Sequence, residues 1–252
     1  MSEQRSRSTA QPQAPETRDQ VLLTVVLPTY NERGNIQELV GAIFDALGDT
    51  RAEVLVVDDA SPDGTGDVVE ELARNDPRVR LLQRARKQGL AGAVFAGAES
   101  ARGTYVGVMD ADLSHDPMHL PGMLAKAQEG YDVVIGSRFV QGGEWSGQRL
   151  ARRFASVLVN RWAKTVLRLP QHDVLTGYVL CRRELVTGLP TRYSSGGFKW
   201  LVELLASDRD AKTFEWPIVF RARRTGYSKA NVGEAVAFIA LTLRLALRRR
   251  MP

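Results

Sequence analysis

Between residues 21 and 137 the chain switches repeatedly between short apolar runs and stretches of helical periodicity, and this alternation restricts the fold more than any other feature. The runs at 21–28, 53–57, 79–82, 105–109 and 132–137 are rich in β-branched and apolar residues, as strands are. The first is apolar almost throughout, the pattern of a strand buried on both faces. Between the runs lie amphipathic or small-residue segments at 36–47, 67–74, 91–101 and 117–128, each suited to a helix. Strands separated by helices at this spacing form βαβ units with right-handed crossovers and a mostly parallel sheet. The expected fold is therefore α/β, a Rossmann-like sheet flanked by helices. The glycine-rich phosphate fingerprint is missing after the first strand, which argues against a dinucleotide-dependent dehydrogenase.

In such sheets ligands bind beyond the carboxyl ends of the strands. The polar loops after strands one, two and four carry Glu32, Asp59, Asp110 and Asp112, which are far apart in sequence but converge on one edge. If the fourth strand continued through Asp110-Ala111-Asp112, its two carboxylates would point to the same side. Hard divalent cations such as Mg²⁺ or Mn²⁺ bind through one or two carboxylates together with substrate phosphates, so the pair reads as a metal-bridged diphosphate site. The alternative is a turn in which Asp110 and Asp112 only cap the helix after Pro117.

Downstream, the helical pattern at 150–167 opens with Arg149, Arg152 and Arg153. Basic groups at a helix start oppose its dipole, which suits a bound anion; a solvated basic face is the competing explanation. A glycine pair, Gly142-Gly143, marks a loop, and Asp173 to Tyr178 leads into a short strand through Cys181. A helix at 198–206 containing Glu203, a strand at 214–220 and a basic turn at 221–229 follow. The last element, 232–247, is apolar around most of its circumference and is followed by Arg248-Arg249-Arg250. Such a helix suits a membrane interface, or packing against the domain or a second subunit.

Residues 1–20 have too few apolar side chains to offset the entropy of ordering, so the expected organisation is a disordered tail at 1–20, a catalytic domain at 21–231 and an amphipathic helix with a basic tail at 232–252. The tail lacks the apolar core of a secretory signal, and no uncharged run approaches the roughly 20 residues that span a bilayer. A cytoplasmic protein, peripheral at the membrane, is expected. The net charge of +5 favours anionic partners. Nucleic acid is not expected among them, because the basic residues are dispersed and lack aromatic interleaving. One cysteine, Cys181, excludes an intrachain disulfide and a cysteine-rich zinc site.

Four stretches carry a family resemblance: Val26-Leu27-Pro28-Thr29-Tyr30-Asn31-Glu32, Val56-Val57-Asp58-Asp59-Ala60-Ser61-Pro62-Asp63-Gly64-Thr65, Asp110-Ala111-Asp112-Leu113-Ser114-His115 and Gly136-Ser137-Arg138-Phe139. With them the chain resembles the family 2 glycosyltransferases of the GT-A fold. Within that family, Gly142-Gly143 with Trp145, the helix at 152–160 and the run from Trp216 to Lys229 resemble the polyprenyl-phosphate (dolichyl-phosphate) mannose synthases. The resemblance spans about residues 22–247.

It implies an inverting transfer of mannose from GDP-mannose to a polyprenyl phosphate at a membrane surface, assisted by Mg²⁺ or Mn²⁺. It also implies that Pro28, Tyr30, Glu32, Val57 and Asp59 hold the nucleoside, and that Asp110, Ala111 and Asp112 meet the diphosphate, with the two aspartates on the metal. Arg138, Arg223 and Lys229 would meet phosphate, and Arg152 the acceptor phosphate. Two positions depart from the family pattern. Ser114 stands where many relatives have a glutamine, and Thr176-Gly177-Tyr178-Val179 replaces Ser-Gly-Phe-Arg. The rival expectations are a UDP-sugar donor with a phosphate or hydroxyl acceptor, the hydroxyl needing Asp173 or Glu203 as base, and a non-catalytic nucleotide-binding subunit.

Overall fold

Strands β1 (Leu23–Thr29) and β2 (Ala52–Asp58) are buried at every position, which is why their sequences run apolar instead of alternating. They lie at the heart of a computed structural model that describes residues 20–147, 150–189, 200–222 and 232–248, with the side chains of 151, 152, 232–237 and 248 outside the description. The chain continues as α1 (Ile36–Leu47), β2, α2 (Thr65–Asn75), β3 (Val79–Gln83), α3 (Leu90–Ser100), β4 (Tyr105–Val108), α4 (Leu120–Gln128) and β5 (Val133–Ser137). Then come β6 (Glu144–Trp145), α5 (Leu150–Leu167), β7 (Val179–Arg182), α6 (Arg183–Thr187), α7 (Trp200–Ser207), β8 (Thr213–Pro217), β9 (Val219–Phe220) and α8 (Val232–Arg248).

Seven strands form one sheet in the order β3-β2-β1-β4-β7-β5-β8, while β6 and β9 pair separately. β1 pairs in parallel with β2, Leu23 to Ala52 through Thr29 to Asp58, and with β4 on its other side. The expectation of a mostly parallel sheet holds, with β7 as the antiparallel exception wedged between β4 and β5. Alternate side chains enter two cores. Leu23, Val25 and Leu27 pack with α1, α2 and α4 on one face, and Val26, Leu55 and Val57 with α3, α5, α7 and Phe238 of α8 on the other. The small residues of α3 have a steric cause: a Cβ on Gly97 would sit 2.5 Å from Val26 Cγ1, so the helix lies almost on the sheet. On α8, Phe238 is 2% exposed and its ring meets that of Trp162 from α5.

Several elements differ from expectation. The strand anticipated at 214–220 divides at Ile218, whose N–H donates to Ser137 O while its carbonyl accepts from Glu144 N; this turns β9 out to pair with β6. The helix anticipated from 117 begins as a 3-10 turn (Pro117–His119) before α4. Its cap is Asp116, whose carboxylate accepts from Met118 N at 3.0 Å; neither Asp110 nor Asp112 caps it. β4 ends at Val108, so the same-side argument for Asp110 and Asp112 fails: both lie in the following loop, where Leu113 has φ 61°. Residues 1–19, Arg149, the 194–197 segment, Arg223 and Lys229 lie outside the described residues. Among the described residues no helix is long and apolar enough to cross a membrane.

Candidate active site

The parallel register of β1, β2 and β4, and β5 running the same way across antiparallel β7, set the ends of these strands along one edge of the sheet, and the polar loops meet there. The first two loops are zipped together. Asn31 N donates to Ser61 Oγ at 2.9 Å, Glu32 N to Thr65 Oγ1 at 3.0 Å and Arg33 N to Asp63 Oδ2 at 3.2 Å. Burial works to raise the pKa of Asp63, but the Thr65 hydroxyl and the amides of Arg33 and Thr65 outweigh it and hold the carboxyl below its ordinary value. Asp58, fully buried, accepts from the Ser61 amide and hydroxyl and from Thr29 Oγ1.

Among the described residues, three of the four non-glycine positions with positive φ are Asn31, Ala60 and Leu113, one in each loop after β1, β2 and β4. Left-handed backbone costs a Cβ-bearing residue about 1–2 kcal/mol, and it persists where surrounding bonds over-determine it. That all three acidic loops carry one marks this edge as built for a purpose other than stability.

Asp59 is 4% exposed and bonded on both oxygens. Arg84 Nη1 lies 2.6 Å from Oδ1, while Gln88 N and Gly89 N donate to Oδ2 at 3.1 and 2.8 Å. Glu32 Oε2 accepts from Asn35 Nδ2 at 2.9 Å, at the foot of α1. Pro28 and Val57 are buried strand residues, Val57 inside the core beneath α3. Half-buried Tyr30 carries the Lys87 ammonium 3.9 Å from its ring centre.

In the β4 loop Asp110 is half-buried, whereas Ala111 and Asp112 are 3% exposed. Asp110 N donates to His115 Nδ1 at 3.2 Å, and Asp112 Oδ1 accepts from Ser114 N at 3.0 Å. The His115 ring lies between Tyr178 and Phe220, at 5.0 and 5.2 Å. Because β7 runs backwards, the loop before it reaches the same edge. A Cβ on Gly177 would stand 2.9 Å from Asp110 Oδ1, so only glycine leaves that carboxylate its place.

At the end of β5, Arg138 is locked to Asp173, with Nε to Oδ2 and Nη2 to Oδ1 both at 2.7 Å and the Arg138 amide donating to Oδ2 at 3.1 Å. The guanidinium lies 4.4 Å from the Trp145 ring centre and 5.4 Å from that of Phe220. Phe220 thus joins Arg138 to the aspartate loop. Arg152 belongs to α5, but its side chain is outside the description. Sequence reasoning misses Arg84 and the constraint at Gly177, and treats Asp173 only as a candidate base. The Asp63–Thr65 turn does have a local signal, its i, i+2 spacing of aspartate and threonine.

Among the described residues no three His, Cys, Asp or Glu side chains gather as a metal nest. The β4 loop does carry hard oxygen donors: two aspartates and the Ser114 hydroxyl, which is buried and has no hydrogen-bond partner among the described residues. That set fits a divalent cation whose remaining ligands come from a substrate diphosphate.

A mostly parallel sheet flanked by helices, with its polar loops gathered along one edge, has the architecture of the GT-A class of glycosyltransferases. Glucosyl-3-phosphoglycerate synthase from Mycobacterium tuberculosis, solved with Mn²⁺, UDP and phosphoglyceric acid, shares the fold with a TM-score of 0.68, at 22% identity over 92% of this chain and 79% of that one. The chain belongs to Glycosyl transferase family 2, whose sequence profile matches residues 24–189. It is 37% identical over 210 residues to a dolichol-phosphate mannosyltransferase of Pyrococcus furiosus, covering 82% of this chain but 58% of that protein's length. It is 38% identical to the polyprenol monophosphomannose synthase of Mycolicibacterium smegmatis (86% of this chain, 84% of that one). The undecaprenyl-phosphate mannosyltransferase of Micrococcus luteus is also 38% identical (84% and 89%).

Proposed function

We propose that the protein transfers mannose from GDP-mannose to a polyprenyl phosphate, releasing GDP and inverting the anomeric centre. Three relatives named for mannosyl transfer to lipid phosphates support the substrate class. One observation carries the choice of acceptor: neither candidate base is disposed to accept a proton from a hydroxyl. Asp173 is fully buried and bonded bidentately to Arg138, and Glu203 is buried in α7. A phosphate monoester needs no base, being already an anionic nucleophile near neutral pH.

In the transfer, a phosphate oxygen of the lipid forms the new bond to the sugar's anomeric carbon. The bond from that carbon to the diphosphate oxygen breaks, and its electron pair leaves with GDP. No proton moves. Asp110 and Asp112 would hold Mg²⁺ or Mn²⁺, which when bound offsets charge on the leaving diphosphate. Asp173 takes one N–H each from Nε and Nη2 of Arg138, leaving the outer N–H groups of Nη1 and Nη2 as donors for a phosphate and fixing their place in advance. Arg152, Arg223 and Lys229 are assigned to phosphate by the family resemblance.

Attachment to the cytoplasmic face of a membrane belongs to the same proposal. Helix α5 exposes Leu150, Phe154 and Leu158, and α8 exposes Ile239, Leu243 and Leu247, each at four-residue spacing with exposed arginines on the same helix. A donor panel of GDP-mannose, UDP-glucose and UDP-mannose, offered with a short polyprenyl phosphate and followed by product analysis, tests the reaction. Turnover of a UDP-sugar alone would replace the donor assignment, and no turnover of any would favour a binding subunit. Flotation with anionic liposomes tests attachment. The double variant Phe154→Ser with Leu243→Ser should float less than the wild type, and unchanged flotation would exclude these two helix faces as the anchor.

A further inference from the structure

The finger between β3 and α3 is fastened to Asp59 at both ends, through Arg84 on one carboxylate oxygen and the Gln88 and Gly89 amides on the other. Gln88 Oε1 also accepts from Arg84 Nη2 at 2.7 Å, closing the base of the finger. Ala85, Arg86 and Lys87 are exposed between these anchors. Lys87 reaches across to the β1 loop, where its ammonium lies 3.9 Å from the centre of the Tyr30 ring. Because the lysine is exposed, its contact with the half-buried ring is a weak one, easily exchanged for a better acceptor. Asp59 therefore fixes the base of the finger that presents Lys87.

We infer that Lys87 reads the base of the donor nucleotide and favours guanine over adenine. This rests on the proposed nucleotide-sugar site, with Tyr30 at the nucleoside. A lysine ammonium only donates hydrogen bonds. Guanine presents two acceptors side by side, O6 and N7, whereas adenine sets an amino donor beside N7. A guanine arriving at Tyr30 offers Lys87 a paired acceptor edge in exchange for the ring; an adenine opposes the ammonium with its own N–H groups. Uracil has carbonyl acceptors but no second ring, and so no N7 to pair with one of them.

Lys87→Met keeps the aliphatic stem and removes the donors. Calorimetric titration of the full chain with GDP, IDP, ADP and UDP in Mg²⁺ separates the outcomes, since inosine keeps O6 and N7 but lacks the 2-amino group. The expected result is that GDP and IDP both weaken about tenfold while ADP and UDP stay as they were. Unchanged GDP affinity, or an equal loss for all four, would overturn the inference, the latter showing a general attraction to phosphate. A wild-type chain that binds none of the four overturns the nucleotide reading itself, a different failure. A second readout needs no variant: GDP should slow acetylation of the Lys87 amine, followed by mass spectrometry, and ADP should not. Equal protection by both would count against base reading.

Discussion

Asp173 grips Arg138 along two parallel bonds of 2.7 Å, and the pair is almost completely buried. The residues are 35 positions apart and meet because β7 runs against its neighbours, returning the loop that precedes it to the edge where β5 ends. Removing one partner of a buried pair leaves an uncompensated charge, which costs about 3–5 kcal/mol. Asp173→Ala should lower unfolding stability by that amount in urea titration. Adding Arg138→Met should recover at least about 1 kcal/mol of it while leaving the enzyme impaired. Strictly additive losses would show that the pair is not coupled.

At the neighbouring loop, Asp112→Ala should abolish metal-dependent turnover of GDP-mannose, and chelation with EDTA should do the same to the wild type. Arg152→Ala should chiefly raise the KM for the lipid phosphate. Steady-state kinetics with a short polyprenyl phosphate distinguishes the two, and full activity in the aspartate variant would remove the metal assignment.

Gly177 is a positioning residue. Its added Cβ would meet the Asp110 carboxylate at 2.9 Å, so Gly177→Ala should displace that group by a fraction of an ångström. A catalytic constellation tolerates such shifts poorly, and kcat should fall about tenfold or more. The discriminating readout is the metal dependence: the concentration of Mn²⁺ giving half-maximal rate should rise, whereas a merely structural defect would leave it unchanged.

Burial pushes the Glu203 carboxyl up to about 7 from an ordinary 4.5. Between those values the folded chain holds the proton more tightly than the unfolded chain. This contribution is therefore fully present below pH 4.5 and is lost as pH rises through 7. Glu203→Gln should flatten the fall in stability over that window, by up to about 3 kcal/mol in denaturant titrations run at about pH 5 and about pH 8. Parallel slopes for the two proteins would show that another group is responsible.

How far the chain can be read in advance depends on the range of the interactions. Helix α1 occupies the anticipated 36–47 because its apolar spacing is a property of twelve consecutive residues. Asp110 and Asp112 stand out because they interrupt an apolar run, though the geometric reason expected for their pairing does not hold: the strand stops short of them. The anticipated roles of Asp59 and Arg138 say nothing of their partners. Arg84 lies 25 residues from Asp59 and Asp173 lies 35 from Arg138, and no periodicity connects either pair.

By itself the sequence determined the order and kind of the first strands and helices, the acidic loops at their ends and the family, because those are written in short-range patterns of side chains. Only the tertiary structure decided that β7 would enter backwards between β4 and β5, that Gly177 would stand against Asp110, and that Asp173 would hold Arg138. Those outcomes depend on which distant surfaces pack together, and packing is set by the shape and burial of the whole sheet, which no local stretch of residues encodes.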